Sequence, residues 1–160
     1  SQRQRFERHI EPVNEDSASF RGCFVCGQEA PGGLGLRPRP VTDDIRWLDW
    51  RPHEDWSDRG GLGLLPAIAS LDCTSAIGLK ADGHLLAGES CLLGTYDADI
   101  LERPLGDDAE DLRIVTSTRG REGRKIWTDV GLFTPDGRPT ILGRATWIAV
   151  SPATAAGAST

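Results

Sequence analysis

The chain has 160 residues, 38% of them hydrophobic and 26% charged, which suits one globular domain burying roughly 70% of its unfolded surface. No run approaches the roughly 18 consecutive apolar residues of a membrane-spanning helix. A net charge of −6 argues against non-specific binding to nucleic acid.

Residues 1–22 are polar and charged and are expected to form an arm without the apolar stretch of a secretory signal, so a cytoplasmic location is expected. A turn-rich lead-in follows, Cys23-Phe24-Val25-Cys26-Gly27 and then Pro31-Gly32-Gly33-Leu34-Gly35-Leu36. The spacing Cys23-x-x-Cys26 is one close pair without a second pair or a histidine pair, so no metal is expected and the pair reads as a tight turn with two half-buried thiols. Cys73 and Cys91 stand alone in apolar segments and read as core thiols. Ile45–Trp50 alternates as a strand, which puts Trp47 and Trp50 on opposite faces. Packing explains the five tryptophans adequately, and walls for an acyl or aryl group are the sharper alternative.

Residues 51–63 form a glycine-rich loop, and an apolar helix is predicted over 64–80 with Pro66 in its first turn. Strands are then predicted over 85–101, with bends at Gly88 and Gly94, and over 112–118, 126–133 and 140–150. Turns lie at 104–108 and 120–123, and Pro135-Asp136-Gly137 is a hairpin signal. The small-residue tail 151–160 is expected to be disordered. The expected class is α+β: one long central helix, apolar almost all round, wrapped by a curved antiparallel sheet of about five strands over 23–150.

Asp72 stands out within that order. It carries the one formal charge between Arg59 and Lys80. An ionised carboxylate in a buried helix costs several kcal/mol unless partners or a wet cleft receive it, on the order of the penalty for an unpaired buried charge. The residue is therefore a site candidate, a surface aspartate, or a carboxylate bonded to a neighbouring backbone.

Three groups of residues carry a family resemblance. The lead-in Cys23 to Gly27 with Gly33-Leu34-Gly35-Leu36, the hairpin Thr134-Pro135-Asp136-Gly137, and the closing Arg144-Ala145-Thr146-Trp147-Ile148 resemble hotdog-fold, acyl-CoA thioesterase-like proteins. The resemblance implies a sheet wrapped around one helix, a homodimer or dimer of dimers, and a site between subunits. The phenylacetate-pathway type carries His-Gly-Gly at the helix entrance, with an acid nine residues after the histidine. Asp72 matches that acid, and Gly63-Leu64-Leu65 stands where His-Gly-Gly would be.

On that resemblance, Asp72 is the catalytic base or nucleophile and the Leu64 N–H is the donor to a developing oxyanion. Ser75, three residues on and so on the same side, either holds water or substrate or is a hydroxyl that caps the helix or bonds its backbone. Gly63 and Leu65 would border the thioester, and Arg119, Arg121, Arg124 and Lys125 either meet CoA phosphates or form a solvated turn. No cofactor is implied; the partners are a CoA- or carrier-bound thioester and a second copy. Two alternatives remain: a non-catalytic acyl- or aryl-binding module, and a dehydratase or other lyase that would need a histidine beside Asp72. His53, His84 and His9 stand at no spacing that implicates it.

Overall fold

The computed structural model describes residues 21–151. The expected polar arm and disordered tail, apart from their innermost residues, lie outside this range. In chain order the elements are β1 (Arg39–Pro40), β2 (Ile45–Trp50), β3 (Ser57–Asp58), β4 (Gly61–Leu62), α1 (Leu64–Ala69), β5 (Ser90–Ile100), β6 (Leu112–Glu122), β7 (Lys125–Phe133) and β8 (Pro139–Val150). Six strands form one antiparallel sheet in the order β1-β2-β6-β7-β8-β5, and β3 and β4 form a separate ribbon. The main sheet has six strands rather than about five because the lead-in adds the two-residue β1.

Alternation builds one apolar face. Leu112 and Ile114 of β6, Ile126, Val130 and Leu132 of β7, and Ala145, Trp147 and Ala149 of β8 are all buried. Leu62, Ala67 and Leu71 cap one end of this face, and Leu79 and Cys91 the other. Trp50 is buried while Trp47 lies outside under the Arg113 guanidinium, 4.4 Å from its ring centre, as the strand period requires. Gly94 sits at a register shift between β5 and β8, and Gly137, at φ +88°, closes the β7–β8 hairpin.

The central helix differs from expectation. It is not one long helix over 64–80: α1 spans six residues, and a 3-10 turn follows at Cys73–Ala76. Side-chain hydroxyls explain the break. Ser70 Oγ donates to the Ala67 carbonyl, Thr74 Oγ1 to Ser70 and Ser75 Oγ to Asp72, at 2.7, 2.7 and 2.8 Å. Those are the carbonyls that the N–H groups of Leu71, Thr74 and Ala76 would use in a continued α-helix. Leu71 and Asp72 donate instead to residues three back, and Gly78, at φ +97°, ends the segment. Asp72 therefore lies at a corner rather than within a helix.

Candidate functional site

The corner at Asp72 is held from both sides. Its backbone carbonyl accepts from the Ser75 hydroxyl, and that hydroxyl accepts from Trp147 Nε1 of β8 at 3.0 Å. The turn 73–76 packs on β6 and β7. Among the described residues no hydrogen bond or ion pair meets the Asp72 carboxylate, and burial pushes its carboxyl above the usual carboxylate range. A half-buried acid without a partner is a group left available for a ligand.

Tyr96, the one tyrosine of the chain, was missed in the sequence. Its ring lies across Gly143, where a Cβ would come within 2.9–3.0 Å of the ring edge and hydroxyl. Its hydroxyl is buried without a partner among the described residues. Burial, with the charge of Asp72 adding to it, pushes that hydroxyl up to about 12. The signal lay in β5: Tyr96 pairs with inward-facing Ala145 and so points towards Asp72's side of the sheet.

The other predicted site residues are distributed as follows. Ser75 is buried and its hydroxyl is already donating and accepting, so it holds the corner rather than water or substrate. Replacing it by alanine strands the Trp147 N–H, and Ser75→Ala is expected to cost about 1–3 kcal/mol in urea unfolding; a loss below about 0.5 kcal/mol would show the bond contributes little. Gly63 donates its N–H to the Trp56 carbonyl, and a Cβ there would meet that oxygen at 2.9 Å, so the glycine serves close packing. Leu64 and Leu65 supply first-turn amides that have no acceptor within the helix. Their side chains are 41% and 82% exposed, so Leu65 closes no pocket within the single chain.

The basic cluster is only partly free. Arg121 clasps Glu89 at 2.5 and 3.0 Å and donates to the carbonyls of His84 and Gly123, so it is not available to a phosphate as expected. Arg121 in turn holds the Glu89 carboxyl down to about 2. Arg119 pairs with Asp129 at 3.3 Å, while Arg124 and Lys125 are exposed at the β6–β7 turn. The two described histidines are engaged elsewhere, His53 with Asp55 and His84 with Asp44, so neither supplies the partner a lyase would need.

The cysteines depart from expectation. Cys73 is not an isolated core thiol: its sulfur lies 3.4 Å from that of Cys23, and Cys23, Cys26 and Cys73 have their sulfurs within 4.8 Å of one another. Hydrogen bonding from Cys73, helped by Cys23 and by the charge of Arg37, lowers the Cys26 thiol to about 6. That bond pushes Cys73 up, and burial adds to it. The sequence hid this because 50 residues separate Cys23 from Cys73.

One concavity adjoins the cysteines and another lies across the sheet, and neither is lined by Asp72. A cavity of about 260 Å³ is lined by Cys26, Cys73, Arg37, Lys80, Leu85 and Trp147. A groove of about 460 Å³ lies on the opposite face of the sheet, where Asp97, Asp129 and Arg144 share a row of the register.

Solved structures sharing this architecture include a putative thioesterase, a phenylacetic acid degradation-related protein from Ralstonia eutropha, 22% identical with a TM-score of 0.62 over 76% of this chain and 93% of that one. AziG of S. sahachiroi is 17% identical, with a TM-score of 0.62 over 74% and 93%. A hypothetical thioesterase of Streptococcus pneumoniae, solved with coenzyme A, is 13% identical, with a TM-score of 0.60 over 71% and 84%. No protein-family model and no curated protein matches the chain. The chain is similar to thioesterase-superfamily proteins and has their hotdog fold.

Proposed function

We propose that the protein hydrolyses an acyl- or aryl-CoA thioester at a site shared between two copies of the chain, with Asp72 as general base or nucleophile. The observation that carries this reading is the Asp72 carboxylate: half-buried, without a partner among the described residues, and fixed at a corner by the Ser75–Trp147 bond. A base must be free to take a proton from water, and a nucleophile free to reach the carbonyl. The Leu64 N–H is the proposed oxyanion donor, and Leu65 and Gly63 border the acyl group. Arg124 and Lys125 are the proposed phosphate contacts, with Arg119 joining them if its pair with Asp129 opens. The neighbour solved with coenzyme A supports CoA as the carrier.

Edge chemistry supports the second copy. One edge of the sheet is closed by β1, which is two residues long and ends in proline. The other is β5, an 11-residue strand that no other strand covers among the described residues, with Leu92 at 56% and Ile100 at 48% exposure. Long, apolar, unpaired edges recruit another strand. The chain is expected to sediment as a dimer or a dimer of dimers, and Leu92→Lys with Ile100→Lys to shift it to monomer. A wild-type monomer that is active at nanomolar dilution would remove the shared site.

The reading is tested by thiol release from a panel of acyl- and aryl-CoAs. No release by a folded dimer would favour the binding module, whose supporting feature is the pair of leucine side chains at the helix entrance. Release only from acyl-carrier protein would move the substrate class and leave the chemistry in place.

A further inference from the structure

Nothing in the proposed hydrolysis uses the three cysteines that meet beside Asp72. We propose that Cys23, Cys26 and Cys73 bind one zinc ion, with a water in the fourth position. Four features of the arrangement support it.

Distance comes first. Thiolates held about 2.3 Å from a tetrahedral zinc lie about 3.8 Å from each other. The three sulfurs here lie within 4.8 Å of one another, and the Cys23–Cys73 separation is 3.4 Å, so small rotations about the side chains bring all three to one centre. The second feature is a built loop. The Gly27 N–H closes the Cys23-x-x-Cys26 turn on the Cys23 carbonyl at 2.8 Å, and a Cβ at position 27 would overlap the carbonyl oxygens of Arg21 and Cys23. Backbone bonds from Leu34 to Phe24 and from Leu36 to Val25, at 2.7 and 2.8 Å, pin the two residues between the cysteines. Cys73 arrives from the 3-10 turn, itself braced on β6 and β7. The third sulfur is therefore delivered by a separate segment, a convergence that a two-thiol turn does not need.

Donor chemistry is the third feature. An all-thiol set suits zinc and other thiophilic ions and disfavours magnesium or calcium. Each cysteine enters as a thiolate and gives its proton to solvent; nothing is oxidised or reduced. Three thiolates around Zn²⁺ leave one net negative charge, and Arg37, which donates to the Cys26 carbonyl at 3.2 Å, stands beside it. Access is the fourth. No histidine or carboxylate joins the cluster among the described residues, and Cys26 and Cys73 line the cavity of about 260 Å³, which admits a water to the open position. A disulfide between any two of the three would leave the remaining sulfur without a role. The zinc would staple the lead-in to the corner that carries Asp72.

The proposal is tested on the full chain, purified under reducing conditions, depleted of metal with a chelator and titrated with Co²⁺. The expected result is sulfur-to-cobalt charge-transfer absorption saturating at about one equivalent per chain and displaced by zinc. Zinc is expected to protect Cys23, Cys26 and Cys73 from alkylation, as mapped by mass spectrometry. Cys73→Ser should weaken Co²⁺ binding by more than about tenfold, and Cys91→Ala, which changes a wall of the same cavity but lies outside the cluster of three sulfurs, should leave it unchanged. Absence of the charge-transfer band, or alkylation of the three cysteines that zinc does not alter, would overturn the site. So would a disulfide among them in a chain that takes up no metal once reduced. If Cys73→Ser does not fold, the titration and alkylation map of the unsubstituted chain decide alone. None of these readouts depends on thioester hydrolysis.

Discussion

Asp72→Asn is expected to leave a folded dimer that releases CoA thiol about 10²–10⁴-fold more slowly than the unsubstituted chain, the range for losing a positioned base. Asparagine keeps the volume and removes the base, and the corner does not need the carboxylate. The bonds that hold it run through the Asp72 backbone carbonyl, Ser75 and Trp147. The expected stability change is therefore zero or favourable, because a carboxylate half withdrawn from water without a partner costs energy that an amide does not. Activity and stability moving in opposite directions separates a site residue from a packing residue. Turnover within about threefold of the unsubstituted rate would remove Asp72 from the chemistry. Lost turnover with lost folding would make it structural.

What the sequence disclosed and what it hid follow from the range of the forces involved. Period-2 alternation reports burial on one face, and strands occupy 112–118, 126–133 and 140–150, with β6 running on to Glu122 through most of the turn expected at 120–123. The run 64–80 carried an equally apolar signal, yet apolarity is blind to hydroxyl groups that compete for carbonyls. Ser70, Thr74 and Ser75 broke the helix through bonds of 2.7–2.8 Å that hydrophobicity cannot encode. Asp72 was legible because charge within an apolar run is a local property. The Cys73 sulfur beside Cys23, and Arg121 spent on Glu89, were not, since partners 50 and 32 residues away are set by tertiary folding. Tyr96 lies between these cases: its face was readable from alternation in β5, but its missing partner was not.

Arg46→Ala is expected to cost about 3–5 kcal/mol in urea unfolding, a large part of the roughly 5–15 kcal/mol that holds a domain of this size. Arg46 leaves β2 on the helix side and grips Asp82 through two bonds, of 3.0 and 2.6 Å. The two side chains are only 11% and 10% exposed, so alanine at 46 strands a carboxylate largely cut off from water. Lysine offers one point charge in place of the planar fork, and Arg46→Lys is expected to recover less than half of the loss. Leucine at both positions removes the stranded charge along with its partner and is expected to cost less than Arg46→Ala alone. A loss below about 1 kcal/mol for Arg46→Ala would show that water reaches Asp82 as freely as it does at a surface pair. Gly78 belongs to the same clamp: a Cβ there would overlap the guanidinium, and its φ of +97° already disfavours other residues. The segment from Asp72 to Asp82 is thus tied down at both ends, by Trp147 through Ser75 and by Arg46 through Asp82. A clamp failure at position 46 should therefore also loosen the Asp72 corner and lower turnover in chains that remain folded, whereas Asp72→Asn lowers turnover with the clamp intact.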